Sequence, residues 1–272
     1  MINFSVLLSV YKNERAKYLN NALESIYKDQ ILKPTEIILV QDGPLTEDLY
    51  NIIKIWKNEL ADLLKIIDLP KNVGLGNALN IGLRECSYEW VMRMDTDDIS
   101  MPKRFLTQIE YIKDHPNIDL IGGIIEEFSE DLSTSLGKRT VPLDSVNIRK
   151  QSKKLNPLNH VTVCFKKSAI LSVGGYQHHL FMEDYNLWLR LIAAKYNIIN
   201  LNDIFVQVRA GDGMITRRKG LSYIKSEIQL AKLKRDLKID GFLSSNMILL
   251  SRCLARILPN SLLIHLYKSL RK

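Results

Sequence analysis

The stretch Trp90-Val91-Met92-Arg93-Met94-Asp95-Thr96-Asp97-Asp98 joins a short apolar run to three carboxylates within four residues. The apolar half predicts a buried strand, so the acidic half stands where that strand ends. Like charges this close raise one another's pKa unless a cation neutralises them. Mg²⁺ and Mn²⁺ prefer oxygen ligands and commonly bridge to substrate phosphates. The stretch therefore predicts a metal site, and the alternative is a solvated loop in which Asp98 caps the next helix.

Strand-like and helix-like segments alternate on both sides of this stretch. This alternation predicts an α/β fold, with a parallel sheet and helices on its faces. Residues 129–159 are polar and irregular, so we expect loops and a short helix there. The hydrophobic spacing predicts strands at 4–11, 36–40, 65–69, 90–94, 120–128, 161–165 and 204–209, and helices at 18–27, 49–64, 77–85, 102–113, 184–196 and 222–237.

Composition limits the classes of function. Of the 272 residues, 46% are hydrophobic and 25% are charged, which excludes a mainly disordered chain. The net charge of +8 points toward nucleic acid, nucleotide phosphates or anionic lipid without choosing among them. The cysteines, which lack metal-ligand spacing, predict reduced thiols, and the first residues lack the features of a signal peptide. We therefore expect a cytoplasmic protein with free thiols at Cys86, Cys164 and Cys253.

A glycine-containing loop precedes the helix predicted at 77–85. Gly74 and Gly76 match the start of a dinucleotide-binding fingerprint, but Leu79 occupies its third glycine position, so we reject that fold. The P-loop motif is also absent from the sequence. Ligands of open α/β sheets bind at the carboxyl ends of the strands. A polar loop that carries Asn72, Asn77 and Asn80 near a nucleotide stays open as an interpretation.

A second acidic motif, Glu183-Asp184, begins the helix predicted at 184–196 and follows the tight turn at Gly174-Gly175-Tyr176. The helix dipole favours acidic residues at such a position, so capping alone explains the pair. The functional alternative is a carboxylate general base directed at an acceptor hydroxyl.

Five segments together resemble the family 2 glycosyltransferases, which are inverting, nucleotide-sugar-dependent enzymes with the GT-A (Rossmann-like) fold. The resemblance implies a mixed, mostly parallel central sheet flanked by helices, with a C-terminal helical extension. The resemblance covers about residues 3 to 220 and is closest to bacterial enzymes that build O-antigen (lipopolysaccharide), capsule or exopolysaccharide repeat units on a lipid carrier. The segments that carry it are Phe4–Glu14, Glu36–Gly43, Asn72–Leu83, the DxD motif Asp95–Asp98 and the ED motif Glu183–Asp184.

The resemblance implies a role for each matching residue. Asp95 and Asp97 would hold Mn²⁺ or Mg²⁺ against the diphosphate of a nucleotide sugar, for which we expect UDP as the nucleotide. Asp184 would be the general base, with Glu183 as the second candidate. His160 and Trp188 are candidate contacts to the donor or the acceptor. The donor would be bound by Tyr11, Asn13, Glu14, Asp42 (at the uracil), Asn72, Asn80, Asp95, Arg209, Arg217 and Arg218.

Two departures from related sequences refine this expectation. Some relatives place a metal-ligating His two residues after the equivalent of Arg209, where this chain has Gly211. The coordination shell is then expected to consist of the DxD motif, the diphosphate and water. The Gln-x-x-Arg-Trp motif of processive synthases is absent, which indicates addition of a single sugar. The resemblance implies that this sugar is a hexose and that the acceptor is a polyprenyl-pyrophosphate-linked sugar. We expect no nucleic-acid partner.

The C-terminal region is basic. We assign residues 1–220 to the catalytic domain and 221–272 to a basic amphipathic helical extension. No acidic residue follows Asp240, and apolar residues alternate with Arg252 and Arg256 on one side of Pro259. This pattern predicts two short helices at the membrane surface, with the arginines at anionic head groups. Packing on the catalytic domain or a dimer contact stays open as the alternative.

Two other functions are consistent with parts of the sequence. A phosphohydrolase could use Asp95 and Asp97 as nucleophile and acid, but it would need Thr or Val in place of Asp98 and a lysine further along the chain. A basic protein that binds membrane or nucleic acid without catalysis would leave both acidic motifs without a role.

Overall fold

The computed structural model describes residues 2–210 and 220–257. Strands and helices alternate through the first half of the chain, as the sequence predicts. The strands are β1 (Phe4–Val10), β2 (Glu36–Gln41), β3 (Leu64–Asp68), β4 (Trp90–Arg93), β5 (Ile99–Ser100), β6 (Leu120–Phe128), β7 (Ser135–Arg139), β8 (Cys164–Lys166) and β9 (Ile198–Arg209). The helices are α1 (Ala16–Tyr27), α2 (Glu47–Leu60), α3 (Leu75–Glu85), α4 (Arg104–Asp114), α5 (Ser145–Ser152), α6 (Lys167–Ser172), α7 (Glu183–Ala193), α8 (Leu221–Asp236) and α9 (Phe242–Ile257).

The nine strands form one mixed sheet in the order β3-β2-β1-β4-β8-β6-β9-β5, with β7 paired to β6. Within the group β1 to β4, every pair of neighbouring strands is parallel, and β6 is parallel to β9. Strand β8 lies antiparallel between β4 and β6. The parallel half carries the motifs that follow β1, β2 and β4, so these loops meet at one edge of the sheet, whereas the ED motif begins α7, after β8.

The central strands are buried on both faces, which explains their continuous apolar sequences. Along β1, Leu8 packs with α1, α2 and α4, whereas Leu7 packs with α3 and α7 on the other face. Helix α3 approaches the sheet closely at Gly82, where an added Cβ would lie 2.5 Å from Leu7 Cδ1 and 2.6 Å from Val40 Cγ2. The two layers therefore fix α3 and α7 beside the strand ends.

Several predicted boundaries are wrong. Helix α2 ends at Leu60 rather than 64, because Ala61 has a φ of 47° and begins a short 3-10 turn. The first residues of the strand predicted at 161–165 form a 3-10 turn instead, at His160–Thr162. Thr162 Oγ1 stabilises this turn by donating a hydrogen bond to the carbonyl of Asn159 at 2.8 Å. Strand β9 begins at Ile198, and the edge strand β7 was not predicted because its sequence is polar.

Helices α8 and α9 pack against each other as a pair, here called the C-terminal hairpin. Glu227 is 2% exposed and accepts hydrogen bonds from Arg252 Nε at 2.5 Å and Arg256 Nη2 at 2.8 Å. Burial opposes ionisation of Glu227, but the two arginines outweigh it and lower its pKa. The prediction that Arg252 and Arg256 point toward lipid head groups is therefore wrong, because an inward-facing carboxylate pairs with both.

Some predictions fall on segments outside the described residues. These are the predicted donor contacts Arg217 and Arg218, the position of Gly211, where some relatives have a metal-ligating His, and the second C-terminal helix, beyond Pro259. Among the helices that the structure describes, none is long and apolar enough to cross a membrane.

Candidate functional site

The candidate site lies at the carboxyl ends of β1, β2 and β4. Because these strands are parallel neighbours, the loops after Val10, Gln41 and Arg93 leave the sheet at the same edge. The backbone N–H of Asp42 donates to the carbonyl of Val10 at 2.7 Å and joins two of these loops. The sequence motifs after the three strands are therefore brought together, as expected.

Three carboxylates cluster after β4. Oxygens of Asp95, Asp97 and Asp98 all lie within 4.8 Å of one another. Burial, together with Asp95 and Glu14, raises the pKa of Asp97 to about 7. Burial and the charge of Asp97 also hold the pKa of Asp98 well above its ordinary value. Three converging oxygen ligands, two of them made costly to ionise by burial and mutual repulsion, fit a hard divalent cation.

Asp98 does not cap the next helix. Its side chain is 2% exposed, and Oδ1 accepts a hydrogen bond from the backbone N–H of Arg209 at 3.0 Å. Helix α4 begins after Lys103 without a side-chain cap. The capping alternative for Asp98 is therefore wrong, and the structure adds this residue to the acidic cluster.

Arg209 and Glu14, both predicted to bind the donor, hold the acidic loop in place. The guanidinium of Arg209 donates from Nε to the carbonyl of Asp97 at 2.7 Å and lies 4.1 Å from the centre of the Tyr18 ring. Glu14 Oε2 accepts a hydrogen bond from Thr96 Oγ1 at 2.9 Å. The acidic loop after β4 is therefore held by Arg209 of β9 on one side and by Glu14 of the β1 loop on the other.

Arg93 is a site residue that the sequence interpretation missed. It is 1% exposed, and its Nη2 pairs with Asp95 Oδ1. Its Nε and Nη1 have no hydrogen-bond partner within the described part of the chain. A buried charge is costly unless paired, so Asp95 and Arg93 stabilise each other beneath the cluster. The available signal was a single charged residue inside an otherwise apolar strand.

Asp42 shapes the loop before α3. Its Oδ1 accepts from the backbone N–H of Val73 at 2.7 Å, and its Oδ2 accepts from Gly74 N–H at 3.1 Å and Asn72 Nδ2 at 3.0 Å. Gly43, with a φ of 86°, approaches so closely that an added Cβ would lie 2.5 Å from the nitrogen of Asn72. Asp42 and Asn72 therefore lie together at the strand ends, and the contact to uracil stays a prediction.

Asn80 ties α3 to the turn before α7. Its Oδ1 accepts from the N–H of Tyr176 at 2.8 Å, and its Nδ2 donates to the carbonyl of Tyr176 at 2.7 Å. The Tyr176 hydroxyl contacts His160 Nε2 at 2.8 Å. Burial, with a contribution from Arg93, holds the pKa of His160 well below its ordinary value, so this ring is neutral. Trp188 lies beside His160, with ring centres 6.0 Å apart, and is fully buried.

Glu183 and Asp184 stand in the first turn of α7, as predicted. Asp184 Oδ2 accepts a hydrogen bond from Asn156 Nδ2 at 2.7 Å. Burial and the charge of Asp184 raise the pKa of Glu183. An added Cβ on Gly76 would lie 3.4 Å from Glu183 Cγ, so α3 begins against this motif. Asn156 was missed because it lies in the polar segment that carries no periodic pattern.

The remaining predicted donor contacts lie on the β1 loop. Tyr11 is 43% exposed, and its carbonyl accepts the N–H of Glu14 at 3.0 Å. Asn13 is also exposed on this loop. Both side chains are open to a ligand at the strand ends.

Comparison with known proteins yields one consistent family. The sequence profile described as "Glycosyl transferase family 2" matches residues 5–179. The chain is 44% identical over 269 residues to the amylovoran biosynthesis glycosyltransferase AmsE of Erwinia amylovora, covering 99% of each chain. It is 34% identical over 265 residues to the Escherichia coli UDP-Gal:alpha-D-GlcNAc-diphosphoundecaprenol beta-1,3-galactosyltransferase, covering 97% of this chain and 95% of that protein.

A solved structure supports the fold independently. The crystal structure of Staphylococcus aureus TarS 1-349 superposes with a TM-score of 0.66 at 20% sequence identity, over 94% of this chain and 71% of that one. The predicted GT-A class is confirmed, since this mixed sheet with flanking helices is shared with a GT-A glycosyltransferase.

Proposed function

The chain belongs to glycosyl transferase family 2, and we propose that it transfers a single hexose from a UDP-sugar to a lipid-linked acceptor sugar. The acceptor would be a polyprenyl-pyrophosphate-linked sugar, and the product a bacterial surface polysaccharide repeat unit. Two relatives support the proposal: the Escherichia coli protein is a galactosyltransferase from UDP-Gal to alpha-D-GlcNAc-diphosphoundecaprenol, and AmsE is a glycosyltransferase of amylovoran biosynthesis. Membership of this family favours glycosyl transfer over a phosphohydrolase or a purely binding protein.

The observation that carries the proposal is that the start of α3 lies between the loop after β2 and the ED motif. The N–H of Gly74, just before α3, donates to Asp42 Oδ2 at 3.1 Å, and an added Cβ on Gly76 would lie 3.4 Å from Glu183 Cγ. The strand-end loops and the ED motif are therefore neighbours. A donor site at the DxD motif and a base at the ED motif would face one reaction centre.

On the donor side, Asp95 and Asp97 would hold Mn²⁺ or Mg²⁺, with Asp98 beside them. When bound, the cation supplies charge neutralisation for the departing nucleoside diphosphate. Asp42 and Asn72 orient the loop that would border the nucleotide. The β1-loop residues and Asn80 complete this side of the proposed site, together with the arginines Arg209, Arg217 and Arg218.

On the acceptor side, Asp184 is the proposed general base. It accepts the proton of the acceptor hydroxyl as that oxygen bonds to the anomeric carbon and the bond to the diphosphate oxygen breaks. One displacement inverts the anomeric configuration. Asn156 orients the carboxylate of Asp184 through the bond at 2.7 Å. Glu183 is the alternative base. His160 is proposed to border the space between donor and acceptor, and Trp188, which is fully buried, to support the His160 ring from within the core rather than to contact a substrate.

The proposed acceptor also suggests where the enzyme works. A polyprenyl chain keeps the reacting hydroxyl at the bilayer, so we propose peripheral attachment to the inner face of the cell membrane. In this proposal residues 1–220 perform catalysis and the extension from 221 to 272 provides the attachment.

The proposal is tested by a nucleotide-release screen. Purified enzyme would be given a panel of UDP- and GDP-sugars with Mn²⁺ and a lipid-pyrophosphoryl sugar. We expect UDP release from one donor that depends on the acceptor. Release from the Asp184→Asn variant serves as the control, and equal rates for both proteins would contradict the assignment of the base.

A further inference from the structure

We propose that helix α9 docks the enzyme on an anionic lipid surface through an apolar stripe of four side chains. The stripe consists of Leu243, Met247, Leu250 and Leu254. The choice of lipid as its partner rests on the proposed function, whereas the stripe itself is a feature of the structure.

The stripe occupies one face of α9 and is open to solvent. Its residues follow the helical spacing i, i+4, i+7 and i+11, and they are 79%, 71%, 63% and 57% exposed. Single exposed apolar residues are normal on a protein surface. A continuous row of four long apolar side chains marks a contact surface.

The opposite face of α9 is already used. Ser245 Oγ donates to the carbonyl of Ala231 at 3.3 Å, and Arg252 and Arg256 pair with Glu227. These three α9 residues are separated by seven and four positions, so they share the face that meets α8. The buried ion pairs hold this face inward, and the stripe therefore points away from α8.

The charges of the hairpin favour an anionic surface over a second copy of the chain. Lys225, Lys232 and Lys238 are exposed. Of the acidic residues in the described part of the hairpin, Glu227 and Asp240 are buried and Asp236 is exposed. The exposed lysines give the hairpin an excess of positive charge, which favours an anionic surface, and the stripe supplies an apolar contact for acyl chains. Two copies of the chain joined through their hairpins would bring these positive charges together.

The hairpin is also joined to the segment that carries the candidate base. Tyr223 in α8 stacks on Phe181 with ring centres 5.1 Å apart, and Phe181 lies two residues before Glu183. His179 Nε2 lies 2.9 Å from the carbonyl of Ser226. Docking of the hairpin on a bilayer would hold the start of α7 near the head groups, where a diphosphate-linked acceptor sugar would lie.

The test compares vesicle binding of the full-length chain with that of a fourfold variant, Leu243→Gln, Met247→Gln, Leu250→Gln and Leu254→Gln. The vesicles would contain phosphatidylcholine alone or phosphatidylcholine with phosphatidylglycerol, and no nucleotide sugar. We expect the unaltered chain to sediment with the anionic vesicles and the variant to lose at least ~10-fold in binding, because its apolar contact is removed. The matched control, Ile55→Gln with Val146→Gln, changes residues that are 57% and 77% exposed elsewhere and should bind like the unaltered chain.

Two further measurements separate this inference from the proposed function. Thermal melting followed by circular dichroism checks that the fourfold variant is folded. If it is not, the double variant Leu243→Gln with Met247→Gln takes its place in the vesicle experiment. Transfer to a water-soluble acceptor should survive in the variant, while transfer to a vesicle-embedded acceptor should fall. Equal sedimentation of both proteins, or no sedimentation of the unaltered chain, would overturn the inference whatever the transferase assay shows. A dimer that the variant abolishes, without vesicle binding, would assign the stripe to a second copy instead.

Discussion

Asn156 donates a hydrogen bond from Nδ2 to Oδ2 of Asp184 at 2.7 Å, across 28 residues of sequence. The amide occupies one oxygen of the candidate base and fixes the direction of its carboxylate. A base is effective only when it lies within hydrogen-bond reach of the proton that it removes. The contact therefore makes Asn156 a positioning residue for the proposed reaction.

We predict that Asn156→Ala lowers kcat about 10-fold while the KM for the donor changes little, because a loosened base acts on the chemical step. Steady-state kinetics with saturating acceptor would measure both constants. Asn202→Ala, at an exposed asparagine, is the matched control. A rise in donor KM with unchanged kcat would show that Asn156 serves donor binding.

We predict that Asp184→Asn retains UDP-sugar binding and lowers the chemical rate by about 10²-fold or more, since the amide cannot accept the proton. Calorimetric titration of the donor and single-turnover rates would separate binding from chemistry. Glu183→Gln is the comparison, because the two carboxylates are adjacent. If Glu183→Gln abolishes the chemical rate and Asp184→Asn does not, Glu183 is the base.

We predict that a chelator abolishes transfer and that Mn²⁺ or Mg²⁺ restores it, because three carboxylates within 4.8 Å need a counter-charge. Asp97→Ala should lower activity by at least ~100-fold, the scale of removing a central electrostatic stabiliser. Electron paramagnetic resonance of Mn²⁺ would measure binding without turnover, and the same variant should weaken that binding. Full turnover in excess chelator would refute the metal assignment.

Lys234 gives a prediction for stability against pH. Burial, with the charge of Arg252, lowers the pKa of Lys234 to about 7 from its ordinary 10.5, against the opposing effects of Glu227 and Asp240. Between these values the unfolded chain binds a proton that the folded chain does not, so the free energy of unfolding rises with pH across this window. Below about pH 7 both states are protonated, and the folded state bears the cost of the buried ammonium.

Lys234→Met should therefore raise the melting temperature more at about pH 6 than at about pH 9.5. Thermal unfolding of variant and unaltered chain at both pH values measures the difference. Lys232→Met, at the exposed neighbour, should change the melting temperature equally at both. An equal effect of Lys234→Met at both pH values would show that its ammonium is not destabilising when buried.

The parallel half of the fold could be predicted from sequence because its strands are continuous apolar runs that end at polar motifs. The rule that ligands bind at strand ends then led to Asp95, Asp97 and Asp42. The turn at Ala61 and the edge strand β7 could not be predicted, because neither has an apolar pattern.

Long-range pairs account for the rest of what the sequence did not reveal. Asn156 lies in a polar segment, and nothing local indicates that it reaches Asp184. Arg252 and Arg256 form a basic pattern that indicates an outward face, yet Glu227, 25 and 29 residues earlier, turns both inward. A helical pattern records which residues share a face, but the partner decides whether that face is buried.

The measurement that tests the central claim most directly is the structure of the product. The enzyme would be incubated with its UDP-hexose and a polyprenyl-pyrophosphoryl sugar, and the product analysed by mass spectrometry and NMR. We predict that the acceptor gains one hexose, whose anomeric configuration is opposite to that of the donor. Retention of the donor configuration, or UDP release without a glycosylated acceptor, would contradict it.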